Sequence, residues 1–358
     1  MRLCPPCSAT HPWTRVVAPW AAVLAVGCGA AEYPGLNPAL GPTDGVTAGS
    51  DAAGDSTGVG GREAPNRTDP SAGSGAGSAD GPVEDDAGAQ RQLLFAVVGD
   101  YGVDSKDAAD VAALVRSLAP DHVFTVGDNN YPIGAASTID DHIGQYYSHF
   151  IGEYQGDYGS GAAVNRFWPS PGNHDWGTPD LQPYLDYFTL PGNERYYDVD
   201  LGLVHLFAID SDPHEPDGTL ADSTQAHWLR HALAQSTACW NFVYFHHPAY
   251  SSGSHGSETD MQWPFEAWGA DAVFAGHDHT YERLQVGGIP YFVVGLGGAG
   301  RYSFPNVVPE SIVRYNEHHG ALSISISSTD MSFEFFAVDG DGGGELVDVH
   351  TIEKTCDR

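Results

Sequence analysis

The sequence predicts an α/β fold of two packed sheets with helices on the outside. Three observations carry that expectation. A strand–helix–strand unit opens the ordered region, further strand candidates alternate with helical stretches as far as Val294, and the C-terminal third turns to alternating strands separated by turn residues.

Each element has a local reason. Leu93-Leu94-Phe95-Ala96-Val97-Val98 is a continuous apolar run, as a strand buried on both faces requires, and Gly99-Asp100 ends it. Val111, Leu114, Val115 and Leu118 follow at helical spacing, with Pro120 closing the helix. His122 to Val126 then reads as a second strand, ended by Gly127-Asp128. Strand, helix, strand implies a parallel pair, with both aspartates at carboxyl ends, where open α/β sheets place their sites. After an irregular segment from Pro132 to Asn165, strands are expected at Phe167 to Ser170, Leu203 to Ile209, Asn241 to Phe245, Ala272 to Phe274 and Tyr291 to Val294. Helices are expected at Thr224 to Gln235 and Asp260 to Trp268, and the closing strands at Ala321 to Ser327, Met331 to Ala337 and Glu345 to Thr351.

Charge narrows the function classes. The 358 residues carry a formal net charge of -32, and residues 29–90 hold only ten acidic against two basic side chains, so most of the excess lies later. No basic cluster could displace counterions from a phosphate backbone, which argues against a nucleic-acid partner. An anionic small substrate stays compatible, because bound cations would reverse the local field.

Residues 1–28 combine Arg2 and Arg15 with an apolar stretch from Val16 to Val26 that is too short to span a bilayer, the pattern of an export signal. Leu24-Ala25-Val26-Gly27-Cys28 resembles a bacterial lipoprotein processing site, in which Cys28 would be lipidated and attach the chain to a membrane; plain cleavage is the alternative. Residues 29–90 are rich in Gly, Ala, Ser and Asp, and read as a disordered tether before a catalytic domain over 91–358. Export implies an oxidising compartment, where Cys239 and Cys356 could pair or stay as two free thiols. The chain is otherwise expected to be a monomer.

The chemistry concentrates in five short segments, each ending a strand candidate: Gly99-Asp100-Tyr101-Gly102, Gly127-Asp128-Asn129-Asn130-Tyr131, Gly172-Asn173-His174-Asp175, Val243-Tyr244-Phe245-His246-His247-Pro248 and Gly276-His277-Asp278-His279. Glycine before the ligand lets the backbone leave its strand sharply. Carboxylate, amide oxygen, phenol and imidazole without thiolate suit iron, zinc or manganese.

At these residues the sequence resembles the calcineurin-like metallophosphoesterases, and within them the purple acid phosphatases of the small single-domain, tartrate-resistant type. Their blocks D-x-G, G-D-x-x-Y, G-N-H-D/E, V-x-x-H and G-H-x-H match in order over roughly residues 95–280. The resemblance implies a four-layer αββα fold, two mixed sheets face to face with helices on the outer faces. It implies two metal ions, one held by Asp100, Asp128, Tyr131 and His279, the other by Asp128, Asn173, His246 and His277. Tyr131 would favour Fe(III), with a divalent Fe, Zn or Mn beside it. The implied activity is acid hydrolysis of phosphate monoesters by a metal-bound hydroxide. His174 would contact phosphate and protonate the leaving group, Asp175 would orient His174, and His255 would be a second substrate histidine.

Other readings compete. Phosphodiesters, nucleotides and phosphoproteins are alternative substrates on the same ligand set, and an inactive module binding phosphorylated ligands is a further alternative. His227 and His231 stand four apart on an expected helix without the glutamate of a zinc-protease motif, so they read as helix surface. Gly295-Leu296-Gly297-Gly298-Ala299-Gly300 reads as a tight turn beside the site, and the sequence leaves His318 and His319 open.

Overall fold

A computed structural model describes residues 92–340 and 343–356, all within the compact unit Gly81–Arg358. The export signal and tether expected over 1–28 and 29–90, with Cys28, lie outside the described residues.

Among the described residues, thirteen strands form two mixed sheets. The six-stranded sheet contains β1 (Leu93–Val98), β2 (His122–Val126), β3 (Phe167–Ser170), β11 (Gly320–Ile326), β12 (Asp330–Val338) and β13 (Gly344–Glu353) in the order β13-β12-β11-β1-β2-β3. The seven-stranded sheet contains β4 (Tyr197–Asp200), β5 (Val204–Ala208), β6 (Trp240–Tyr244), β7 (Ala272–Ala275), β8 (Tyr281–Val286), β9 (Ile289–Val294) and β10 (Ser311–Tyr315) in the order β10-β8-β9-β7-β6-β5-β4. β1, β2 and β3 run parallel, as do β5, β6, β7 and β9; the remaining pairings are antiparallel.

Alternation along the strands divides the core into layers. On β6, Trp240, Phe242 and Tyr244 join the core between the sheets, while Val243 joins a second cluster with Ala226, Leu229 and Leu233 of α4 (Thr224–Gln235) and Phe265 of α5 (Phe265–Trp268). Phe95 on β1 meets Phe242 across the sandwich at 6.1 Å between ring centroids, and Phe124 meets Tyr244 at 4.8 Å. Such aromatic pairs add roughly 0.5–1.5 kcal/mol each beyond the area they bury. On the six-stranded side, α1 (Lys106–Ser117) buries Val111, Leu114 and Val115, and the short helices α2 (Gln145–Tyr147) and α3 (Gln182–Tyr187) lie between β2 and β4 in the chain. The α1 N-cap Ser105 accepts from the Ala108 amide at 3.1 Å, and Ser223 caps α4 on Ala226 in the same way. The expected αββα layering is the observed one.

Differences from the sequence reading are local. The helix expected over Asp260 to Trp268 is a 3₁₀ turn, Thr259–Met261, and then the short α5, because Pro264 interrupts the run. Strands β4, β8 and β10 were not foreseen. His227 and His231 are exposed on α4, as expected of helix surface. Cys239 and Cys356 pair, with Cα atoms 5.5 Å apart, tying the end of the described chain to the start of β6. Among the described residues, no helix is long and apolar enough to cross a membrane.

Candidate metal centre

The five motif segments leave the carboxyl ends of β1, β2 and β3 in one sheet and of β6 and β7 in the other, so their side chains meet over the top of the sandwich. The turns are tight. Gly127 has φ +87°, and a Cβ there would lie 2.5 Å from the His246 Nδ1. Asp100, Asp128 and His277 hold left-handed φ values of 56°, 52° and 67°. Such backbone costs about 1–3 kcal/mol per residue and persists where the surroundings enforce it.

The seven candidate ligands form two groups that share one carboxylate. In the first, the Tyr131 hydroxyl lies 2.8 Å from Asp128 Oδ2, 3.2 Å from Asp100 Oδ1 and 3.1 Å from His279 Nε2, and His279 Nε2 is 3.3 Å from Asp100 Oδ1. In the second, His246 Nε2 lies 3.0 Å from Asn173 Oδ1, 3.2 Å from His277 Nδ1 and 3.3 Å from Asp128 Oδ1. Asp128 thus turns one oxygen to each group.

Neighbouring loops orient these side chains. His246 Nδ1 donates to the Val126 carbonyl at 2.9 Å and His279 Nδ1 to the Gly300 carbonyl, which leaves Nε2 of both rings facing the centre. The His277 amide donates to Asp100 Oδ2 at 2.9 Å, and the His174 amide to Asp128 Oδ1 at 2.9 Å.

Electrostatics tie the two groups together. Burial alone would pull the His246 imidazole down, but the Asp128 charge and hydrogen bond outweigh it and push it up to about 10. Burial would raise the Asp128 carboxyl; His246 and His174 hold it well below its ordinary value. Burial, then the Asp100 and Asp128 charges, lift the Tyr131 phenol far above its usual range. Burial and the His246 charge depress His277. The donor set, two carboxylates, a phenol, an amide oxygen and three imidazoles without thiolate, fits hard or borderline cations and not a soft one. A cation would reverse the local field that now keeps Tyr131 protonated.

The proposed substrate residues sit at the rim. His174 donates from Nδ1 to the Pro132 carbonyl at 2.6 Å, its ring centroid lies 4.2 Å from that of Tyr131 with the two rings tilted at 43°, and its Nε2 is 3.9 Å from Asp128 Oδ2. Asp175 does not orient His174. Its carboxylate turns inward, where Oδ2 accepts from the amides of Gly172 and Asn129 and from Asn129 Nδ2 at 2.8, 3.1 and 2.8 Å. Burial and the Asp128 charge push Asp175 up to about 7. Asp175 therefore braces the loops carrying Asp128 and Asn173, and the Pro132 carbonyl takes the role expected of it. His255 is exposed, with its ring 4.1 Å from that of His277.

Two further residues belong to the site. His247, which the motif leaves outside, places its ring 4.5 Å from His277 and 4.9 Å from His246, and its Nδ1 lies 2.9 Å from Ser211 Oγ. Burial and the His246 charge push it down to about 3. Tyr302 stacks flat on His279 at 4.1 Å and meets His255 edge-on at 5.3 Å. Its only sequence signal is its place two residues beyond the glycine-rich turn, which here meets the residue after β1, Gly297 N donating to Gly99 O at 3.0 Å. His319 is buried behind that turn, 2.8 Å from the Ala299 carbonyl, and His318 faces water.

Comparison with known proteins identifies the family. The calcineurin-like phosphoesterase family model matches residues 93–281. Purple acid phosphatase 4 of Arabidopsis thaliana is 25% identical over 282 residues, covering 69% of this chain and 81% of that protein. Tartrate-resistant acid phosphatase type 5 of Rattus norvegicus is 24% identical over 298 residues, covering 69% and 88%. In structure, the purple acid phosphatase PPD1 of yellow lupin (Lupinus luteus) superposes with a TM-score of 0.60 at 19% identity, over 74% of this chain and 54% of that one. The family model spans more than half of the 358 residues, so this chain belongs to the calcineurin-like phosphoesterase family and is a metallophosphoesterase.

Proposed function

We propose that the chain is an acid phosphatase that hydrolyses small phosphate monoesters with two cations. Asp100, Asp128, Tyr131 and His279 would hold the first, Fe(III), and Asp128, Asn173, His246 and His277 would hold the second, a divalent Fe, Zn or Mn. The observation that carries this reading is the division of the Asp128 carboxylate, Oδ2 at 2.8 Å from Tyr131 in one group and Oδ1 at 3.3 Å from His246 in the other. When bound, such a pair supplies Lewis-acid activation of water and charge neutralisation for an in-line displacement.

The chain's own residues supply orientation and the proton. His174 is fixed through Nδ1, so Nε2 is the atom that faces the substrate and, in the acid form of the ring, delivers a proton to the leaving oxygen. His255, at the open rim beside His277, is placed to hydrogen-bond a phosphate oxygen. The Cys239–Cys356 pair supports action outside the cytoplasm, by secretion or through a lipid anchor at Cys28. The acidic charge and the lack of a basic cluster favour a small-molecule substrate over nucleic acid.

The test compares p-nitrophenyl phosphate with bis(p-nitrophenyl) phosphate in protein loaded with iron and zinc and in the same protein after chelation. Monoester turnover that exceeds diester turnover, disappears with chelator and returns with metal is the expected result. Preferential diester turnover would move the chain to the phosphodiesterases, and turnover indifferent to chelator would end the bimetallic reading.

A further inference from the structure

We propose that Asp278, the residue between the two histidines of Gly276-His277-Asp278-His279, is a positioning residue that fixes His255 in register with the metal centre. The proposal rests on the reading of His255 as a phosphate contact.

Asp278 is fully buried, and its carboxylate turns away from the ligands on either side of it. Oδ1 accepts from the His255 amide at 2.8 Å; Oδ2 accepts from Ser251 Oγ at 2.5 Å and from the Gly256 amide at 3.2 Å. All three donors lie on the segment that carries His255. A buried carboxyl group is costly unless donors surround it, and this segment supplies all three of those donors. The closure is tight: a Cβ on Gly253 would lie 2.2 Å from the Asp278 carboxylate carbon. A second buried carboxylate pins the same segment, Glu282 accepting from the Ser252 amide at 2.7 Å and from Ser252 Oγ at 2.5 Å. His255 itself is exposed, and among the described residues its ring meets those of His277 and Tyr302 without a side-chain hydrogen bond, so its position is set through its backbone. The Asp278 backbone sets His277 and His279, and its side chain sets His255. One residue therefore gauges the distance between the cations and the phosphate-contacting ring. The family motif leaves this position open; in this chain it is filled by a residue suited to the task.

The experiment uses the full metal-loaded chain and four variants: Asp278→Ala, His255→Ala, the double variant and Ser251→Ala. For each, kcat and KM on p-nitrophenyl phosphate, the Kd for inorganic phosphate by calorimetry and the bound metal are measured. Loss of a hydrogen bond to charged phosphate predicts that His255→Ala lowers kcat/KM about tenfold to hundredfold. Asp278→Ala should match that loss, mainly in KM and phosphate Kd, with metal content unchanged, and the double variant should be no worse than His255→Ala. Ser251→Ala, which leaves the ligand loop untouched, should give a smaller loss in the same direction and keeps the test open if Asp278→Ala does not fold. Losses that multiply in the double variant, metal lost in step with activity in Asp278→Ala, or a Ser251→Ala protein indistinguishable from wild type would overturn the proposal. An inert His255→Ala would overturn it while leaving the phosphatase reading intact. A wild-type chain without turnover would sink the phosphatase reading, and the phosphate titrations would still decide the role of Asp278.

Discussion

Replacing Asp128 with Asn keeps the shape of the shared ligand and removes its charge, so it tests both the metal centre and the ion pair beneath it. In wild type Asp128 is 1% exposed, accepts from Tyr131 and His174, and faces the fully buried His246. The Asn amide turns a donor toward donors and leaves His246 without its counter-charge. Breaking a buried pair by removing one partner costs about 3–5 kcal/mol. In metal-free protein the pH dependence has a definite sign. His246 is raised to about 10 in the folded chain from an ordinary 6.5, so its contribution is complete below about 6.5 and fades as pH rises through about 10. Asp128 is lowered from 3.8, so its contribution is present above that value and is lost as pH falls through the folded one. Urea melts of chelated wild type and Asp128→Asn should therefore differ most between about pH 4 and 6.5 and converge toward pH 10. The loaded variant should bind neither cation fully and show no turnover. A gap that widened toward pH 10, or a variant holding two cations per chain, would refute the reasoning.

Three further outcomes follow from the same geometry. Iron-loaded protein should show a visible charge-transfer band that Tyr131→Phe abolishes, read by absorption on protein purified without chelator; a band surviving the substitution would remove Tyr131 from the ligand set. His174→Ala should lower kcat about 10²–10⁴-fold with metal content intact. Its loss should be larger on an alkyl phosphate than on p-nitrophenyl phosphate, whose leaving group needs little protonation, and an equal loss on both would deny it the proton. Cys356→Ser opens a link spanning 117 residues and should cost about 2–5 kcal/mol in chemical denaturation, without changing kcat.

The parts of the fold legible in the sequence are those where one physical signal acts alone. The buried runs of β1, β2 and β6 and the capped helix α4 show as apolar stretches and helical spacing. The strands that escaped carry mixed signals. β8 begins directly after the last metal motif and contains Glu282 and Arg283; Glu282 is buried on the hydroxyls of Ser252 and Ser311, and Arg283 pairs with Asp348 at 2.7 Å, partners far away in sequence. β4 and β10 are edge strands, polar on one side, where no continuous apolar run is needed. The cluster of seven candidate ligands was legible because each member follows a strand end in a fixed local pattern. The contacts of Asp175, His247 and Tyr302 were not, since adjacency in the chain does not say which way a turn points its side chain.

The arrangement of the centre is held by the protein's own bonds. Its side chains come from two different sheets, and hydrogen bonds between the sheets help to orient them. Asp100 accepts from the His277 amide and His246 Nδ1 donates to the Val126 carbonyl, both across the sheets, while within the second sheet the Gly276 amide donates to the His246 carbonyl at 2.9 Å. Within the first sheet, the Asp100 amide donates to the Gly127 carbonyl at 3.1 Å and the Gly102 amide to the Asp128 carbonyl at 3.2 Å. These reciprocal bonds are what can sustain the left-handed backbone at Asp100, Asp128 and His277, since three such residues together cost about 3–9 kcal/mol. They also place the strain where it is useful, because a carboxylate or imidazole whose backbone is locked from both sheets has little freedom to lose on gripping a cation. The packing of one sheet on the other, through rings such as Phe95 on Phe242, thereby sets the register between the two halves of the site.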